Sequence, residues 1–119
     1  MIKVVGQATQ QNGSSPAWTL TGICSSASRT ATGTYTITCS KNPAQQIIVL
    51  ISAERGSIGT ERTTATWADN VLTIRNYTGA TSTTLGDCWL SVTFLEDIPV
   101  ETTFLKYGET ENRLIVKDE

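Results

Sequence analysis

Alternation of small polar and apolar residues, repeated along most of the chain, is the feature that most narrows what this sequence can become. In Thr34-Tyr35-Thr36-Ile37-Thr38-Cys39 the threonines fall on one parity and Tyr, Ile and Cys on the other. Successive side chains of a strand point to opposite faces, so the pattern buries one face and leaves a hydroxyl-coated face in water. The period recurs in Asp87 to Leu95, where Cys88, Leu90, Val92 and Phe94 alternate with Trp89, Ser91 and Thr93. It recurs again in Val71 to Tyr77, where Leu72 and Ile74 alternate with Val71, Thr73 and Arg75. The 21 Thr, 10 Ile and 7 Val, against 9 Ala and 8 Leu, form a β-branched, strand-building mixture.

Further strands are predicted at Ile2 to Ala8, Ala17 to Cys24 and Thr60 to Trp67, with Ser25 to Arg29 as a polar loop and Asp69-Asn70 as a turn. Gln45 to Ala53 contains the unbroken run Ile47-Ile48-Val49-Leu50-Ile51 and reads as a strand covered on both faces, the centre of its sheet. Short strands separated by turn residues predict an all-β fold: an antiparallel, jelly-roll-like β-sandwich of about eight to nine strands. The chain changes character at Glu96. Residues 96–119 hold seven acids against three bases, whereas residues 1–95 hold four acids against six bases. Residues 1–95 are therefore predicted as the sandwich domain. Residues 96–119 are predicted as an acidic extension containing a β-hairpin, Val100 to Tyr107 and Arg113 to Lys117, packed on the same domain or acting as a docking arm.

A length of 119 residues suits one core, without a second catalytic domain. Histidine is absent, which removes the usual general base of Ser-His and Cys-His catalysis and the commonest zinc ligand. Neither GxxxxGK[ST] nor GxGxxG occurs, and no Cys spacing fits a metal site, so no catalytic, cofactor-binding or metal-binding residue is assigned. Glu96 and Asp97 are adjacent and would point to opposite faces of a strand, which keeps them from acting as an acid and base pair. A net charge of −2 and a pI near 5.1 give no positive field for nucleic acid. The longest aliphatic run is five residues, whereas a membrane helix needs roughly 20, so no membrane insertion is expected. The N-terminus lacks the apolar core of a secretory signal, and cytosolic synthesis is expected. Without such a signal the sequons at Asn12 and Asn76 are read as chance matches. Cys24, Cys39 and Cys88 fall in phase with apolar neighbours and read as buried thiols, a Cys24–Cys39 disulfide remaining an alternative.

Three tryptophans stand out. Trp18 is in phase with core residues; Trp89 points opposite to Cys88, Leu90, Val92 and Phe94; Trp67 ends a polar strand. Trp67 and Trp89 are therefore candidates for a subunit interface or for stacking on a sugar ring. Arg75 joins them as a candidate contact, and Arg55, Arg62 and Arg75 read as surface charge or a small anion site.

Four segments resemble a known family: Gly33-Thr34-Tyr35-Thr36-Ile37-Thr38-Cys39, the run Ile47 to Ile51, Asp69-Asn70-Val71-Leu72-Thr73-Ile74-Arg75-Asn76-Tyr77-Thr78-Gly79, and Asp87-Cys88-Trp89-Leu90-Ser91-Val92-Thr93-Phe94. They are similar to the small β-sandwich knob domains of tailed-bacteriophage fibre, head-fibre and decoration proteins, over about half of the chain. In that family such strands build a jelly-roll-like protomer, and three protomers trimerise. The resemblance implies a non-enzymatic virion protein made in the bacterial host cytoplasm. Its implied partners are two further copies of itself, other capsid or tail proteins and, on the alternative reading as a receptor-recognition or carbohydrate-binding module, a host surface glycan.

Overall fold

The computed structural model describes residues 1–54, 62–79 and 83–99, which form eight strands and one 3-10 turn. The strands are β1 (Ile2–Gln10), β2 (Thr19–Gly22), β3 (Cys24–Ala31), β4 (Thr34–Cys39), β5 (Ile47–Glu54), β6 (Arg62–Ala68), β7 (Val71–Tyr77) and β8 (Trp89–Asp97). They make two antiparallel four-stranded sheets, ordered β2-β1-β8-β5 and β3-β4-β7-β6. The pairs β1·β8, β5·β8 and β4·β7 join strands distant in the sequence, while β1·β2, β3·β4 and β6·β7 pair sequence neighbours. The all-β sandwich expected from the alternation is therefore the fold.

The inward parity builds the core. Tyr35, Ile37, Leu72 and Ile74 from one sheet meet Ala8, Leu90, Val92 and Phe94 from the other, all at most 2% exposed. At about 1.5–3 kcal/mol for each large apolar side chain fully buried, this layer is the main favourable contribution to folding. Trp18 packs edge-on against Tyr35 with ring centroids 6.1 Å apart, in keeping with its reading as a core residue. All three cysteines are buried free thiols. Cys24 and Cys39 face each other across β3 and β4; burial first, then the neighbouring Cys39 sulfur, pushes the Cys24 thiol up to about 12.

Three details differ from the sequence reading, each for a physical reason. Ser25 to Arg29 is not a loop but part of β3, which needs no large apolar residue because it is an edge strand. Its small Ala27 faces Ile37 inward, and the Ser28 hydroxyl lies 3.2 Å from that of Thr36 outside. The predicted strand Ala17 to Cys24 is divided at Gly22, where φ of +60° turns the chain from the first sheet to the second. The apolar run in β5 is not central: β5 is an edge strand. Ile47 is buried and Val49 and Ile51 are half-buried, while Ile48 and Leu50 are 42% and 54% exposed on the outer face.

A bulge at Val5 shifts the phase of β1, so that Ile2 and Val4 point outward whereas Gly6, Ala8 and Gln10 point inward. β8 continues beyond residue 95: Glu96 pairs with Lys3 and Ile47, Asp97 pairs with Ile2, and the Glu96 carboxylate accepts a 2.8 Å bond from Lys41. The hairpin predicted between residues 100 and 119, and Arg55, lie outside the described residues.

Two outcomes follow from this packing. A Cβ at Gly22 would collide with the Val5 carbonyl, so Gly22→Ala is expected to lower stability by at least about 1 kcal/mol, read as a lower urea midpoint at unchanged slope. The thiols are expected to stay silent to a disulfide reagent in the native protein and to titrate as three per chain once it is denatured.

Candidate functional site

The outer face of the β2-β1-β8-β5 sheet changes chemistry along its length. At one end the register aligns Val4, Leu95 and Ile48 across three strands, with Ile2 one row further out and Leu50 one row further in. Ile2, Val4, Ile48 and Leu50 are 42% to 55% exposed, an aliphatic patch bordered by β5, the edge of this sheet among the described residues. Towards the other end come Gln7 and Thr93, joined by a 3.3 Å bond, and then a row of hydroxyls running Thr19, Thr9, Ser91 and Ser52 across all four strands. The last row pairs Glu54 with Trp89, whose indole is 41% exposed. Trp89 and this hydroxyl row line a groove of about 560 Å³, closed on one side by Gln11 and Asn12 from the β1–β2 loop.

The opposite exterior is different in kind. On the β3-β4-β7-β6 sheet one row reads Ser28, Thr36, Thr73, Thr66 and the next carries Arg75 between Thr34 and Thr64. Arg75 is exposed there, and Arg62, one row on, stacks over the Tyr77 ring at 4.1 Å. Trp67 pairs with Leu72 on the inner face and meets Phe94 edge-on at 6.2 Å. The three candidate contacts thus lie in three environments: Trp89 on one outer face, Arg75 on the other, and Trp67 packed against the core between them.

A polar knot holds the Trp89 end in place. Arg29 donates two 3.0 Å bonds to the two oxygens of Asp87, and the Gly33 amide donates a third, of 2.7 Å. The Tyr35 hydroxyl accepts from the Cys88 amide at 3.0 Å, donates to the Gly13 carbonyl at 2.8 Å and lies 3.2 Å from Asp87. Burial alone would raise the Asp87 pKa, but the Arg29 and Gly33 hydrogen bonds, the Arg29 charge and the Tyr35 hydroxyl outweigh it and hold the carboxyl below its usual range. The Tyr35 hydroxyl is pushed up, chiefly by burial. With Arg29 assigned to a loop, this knot was not visible in the sequence.

Ile48 and Leu50 were also missed as surface residues, although a signal was present. Their parity continues into Ser52 and Glu54, which is the pattern of a solvent-facing side. Among the described residues there is no group of three or more Cys, Asp or Glu placed to hold a metal ion, and no helix is long and apolar enough to cross a membrane. No protein-family model, no curated protein and no solved structure matches the chain.

Asp87 contributes stability that is complete above its ordinary pKa of about 3.9 and is lost as pH falls below that value towards its lowered native one. Asp87→Asn is expected to lower the thermal midpoint at neutral pH, and the gap to the parent protein should narrow steadily in melts recorded from pH 6 down to pH 2.

Proposed function

We propose that the chain is a non-enzymatic structural protein of a bacteriophage particle, a surface-exposed β-sandwich of the capsid, head fibre or tail fibre that self-associates as a homotrimer. The observation that carries the self-association is the contrast between the two outer faces. One is coated with hydroxyls and suits water; the other exposes Ile2, Val4, Ile48 and Leu50 beside β5, which is an edge strand among the described residues. These side chains are already half-buried, so an interface that covered them fully would gain about half of the roughly 1.5–3 kcal/mol that complete burial of such a side chain provides. Long apolar edges invite pairing with another chain, and β5 itself carries little protection against it: the strand has no proline and no lysine, and its one charge is Glu54 at the end.

A second copy of the chain is the occupant that best fits this face, because the patch is continuous with the β5 edge. One association can therefore cover apolar surface and satisfy strand backbone groups together. The virion setting and the threefold symmetry rest on the resemblance of the segments between residues 31 and 95 to trimeric phage knob domains.

Light scattering is expected to give a mass near three protomers of 12.8 kDa, independent of concentration over a wide range. The double variant Ile48→Glu, Leu50→Glu should sediment as a monomer while keeping its far-ultraviolet circular dichroism and a cooperative melt. A parent protein that is monomeric at every concentration would overturn the assembly. Absence of the chain from purified particles of the phage encoding it would overturn the virion role.

A further inference from the structure

We infer that the groove beside Trp89 is a binding site for a neutral saccharide. It lies at the opposite end of the sheet face from the aliphatic patch, and its observations are independent of those that support assembly.

Trp89 is fixed from behind. Its neighbour Cys88 is 1% exposed and held through its amide by the Tyr35 hydroxyl, and Leu90 on the other side is 2% exposed, so the backbone carrying the indole is clamped at both neighbours. An exposed large aromatic costs solvation, and here it lines a shallow, open groove. The row Thr19, Thr9, Ser91, Ser52 offers four hydroxyls, each a donor and an acceptor, spaced across the strands beside the ring. None of these four side chains, nor Gln11 or Glu54, has a hydrogen bond or ion pair among the described residues. The groove therefore presents unused polar capacity next to an apolar plate.

That combination selects the ligand class. A pyranose has an apolar C–H face, which stacks on the electron-rich face of an indole, and a rim of hydroxyls, which exchange hydrogen bonds with Ser, Thr, amide and carboxylate groups. A nucleotide would also stack, but its phosphate requires cations, and among the described residues the groove is lined by no Lys or Arg and by one carboxylate, Glu54. A purely apolar ligand would bury the hydroxyl row without partners, at a cost of roughly 1–3 kcal/mol per group. A peptide adding a strand needs a sheet edge, whereas this floor is a sheet face. The volume of about 560 Å³ lies within the range of about 300–1,000 Å³ found for small-molecule sites.

The test is a glycan array of neutral and sialylated oligosaccharides probed with the full chain, followed by calorimetric titration of the best neutral glycan. Trp89→Ala should weaken binding by roughly tenfold or more, a loss of about 1.4 kcal/mol, while Trp89→Phe retains most of it because the stacking plate survives. Tryptophan emission should shift on binding in the parent and stay constant in Trp89→Ala, where Trp18 and Trp67 still report. Binding of no neutral glycan, a preference for anionic ones, or full affinity in Trp89→Ala would each overturn the site. Native mass is recorded on the same samples: a trimer that binds no glycan removes this inference and leaves the assembly standing, and a monomer that binds does the reverse.

Discussion

Tyr35 carries a hydroxyl into a largely apolar core, and the two ends of the chain segments around it are arranged to satisfy it. Its ring is fully buried among Ile37, Leu72, Ile74 and Phe94, yet its oxygen reaches the Cys88 amide and the Gly13 carbonyl. An unpaired buried hydroxyl would cost about 1–3 kcal/mol, so this one group dictates where the start of β8 and the β1–β2 loop must come together. Asp87 extends the same network to Arg29 on β3 and to the Gly33 turn, where φ of +64° lets the amide point at the carboxylate. Both borders of the Trp89 groove, the first residues of β8 and the loop bearing Gln11 and Asn12, are anchored by this cluster.

The sandwich has one interior and two exteriors, and the contrast between the exteriors gives the molecule a direction. Threonine and serine side chains on the β3-β4-β7-β6 sheet replace water contacts with water contacts and ask for no partner. Aliphatic side chains at one end of the other sheet do ask for one, and β5, the edge strand there among the described residues, carries two of them, Ile48 and Leu50. An assembled subunit would then cover the aliphatic half and present the Trp89 half. On these two proposals, self-association and ligand capture would be divided along a single sheet face, and substitution in either half would leave the other chemically intact.

Much of this was legible from residue order alone. The buried parity of β4, β7 and β8 follows directly from Tyr35-Thr36-Ile37, Leu72-Thr73-Ile74 and Leu90-Ser91-Val92, because a two-residue period admits one assignment of faces once a core exists. The outward position of Trp89 followed from the same rule. β3 was not legible, since an edge strand built from Ser, Ala and Arg has no apolar signature. The inward turn of Trp67 was not legible either, because a single aromatic at a strand end carries no period.

Local pattern thus determined that the chain is all-β and which residues share a face; these depend only on neighbours along the chain. Tertiary structure decided which strands are edges, that the run Ile47 to Ile51 exposes Ile48 and Leu50, that Arg29 meets Asp87 across 58 residues, and that four hydroxyls from four strands form one row beside Trp89. The physical reason is that burial and pairing are properties of what lies across the sheet. A strand's own residues state which face they prefer, while its neighbours decide whether that preference is met.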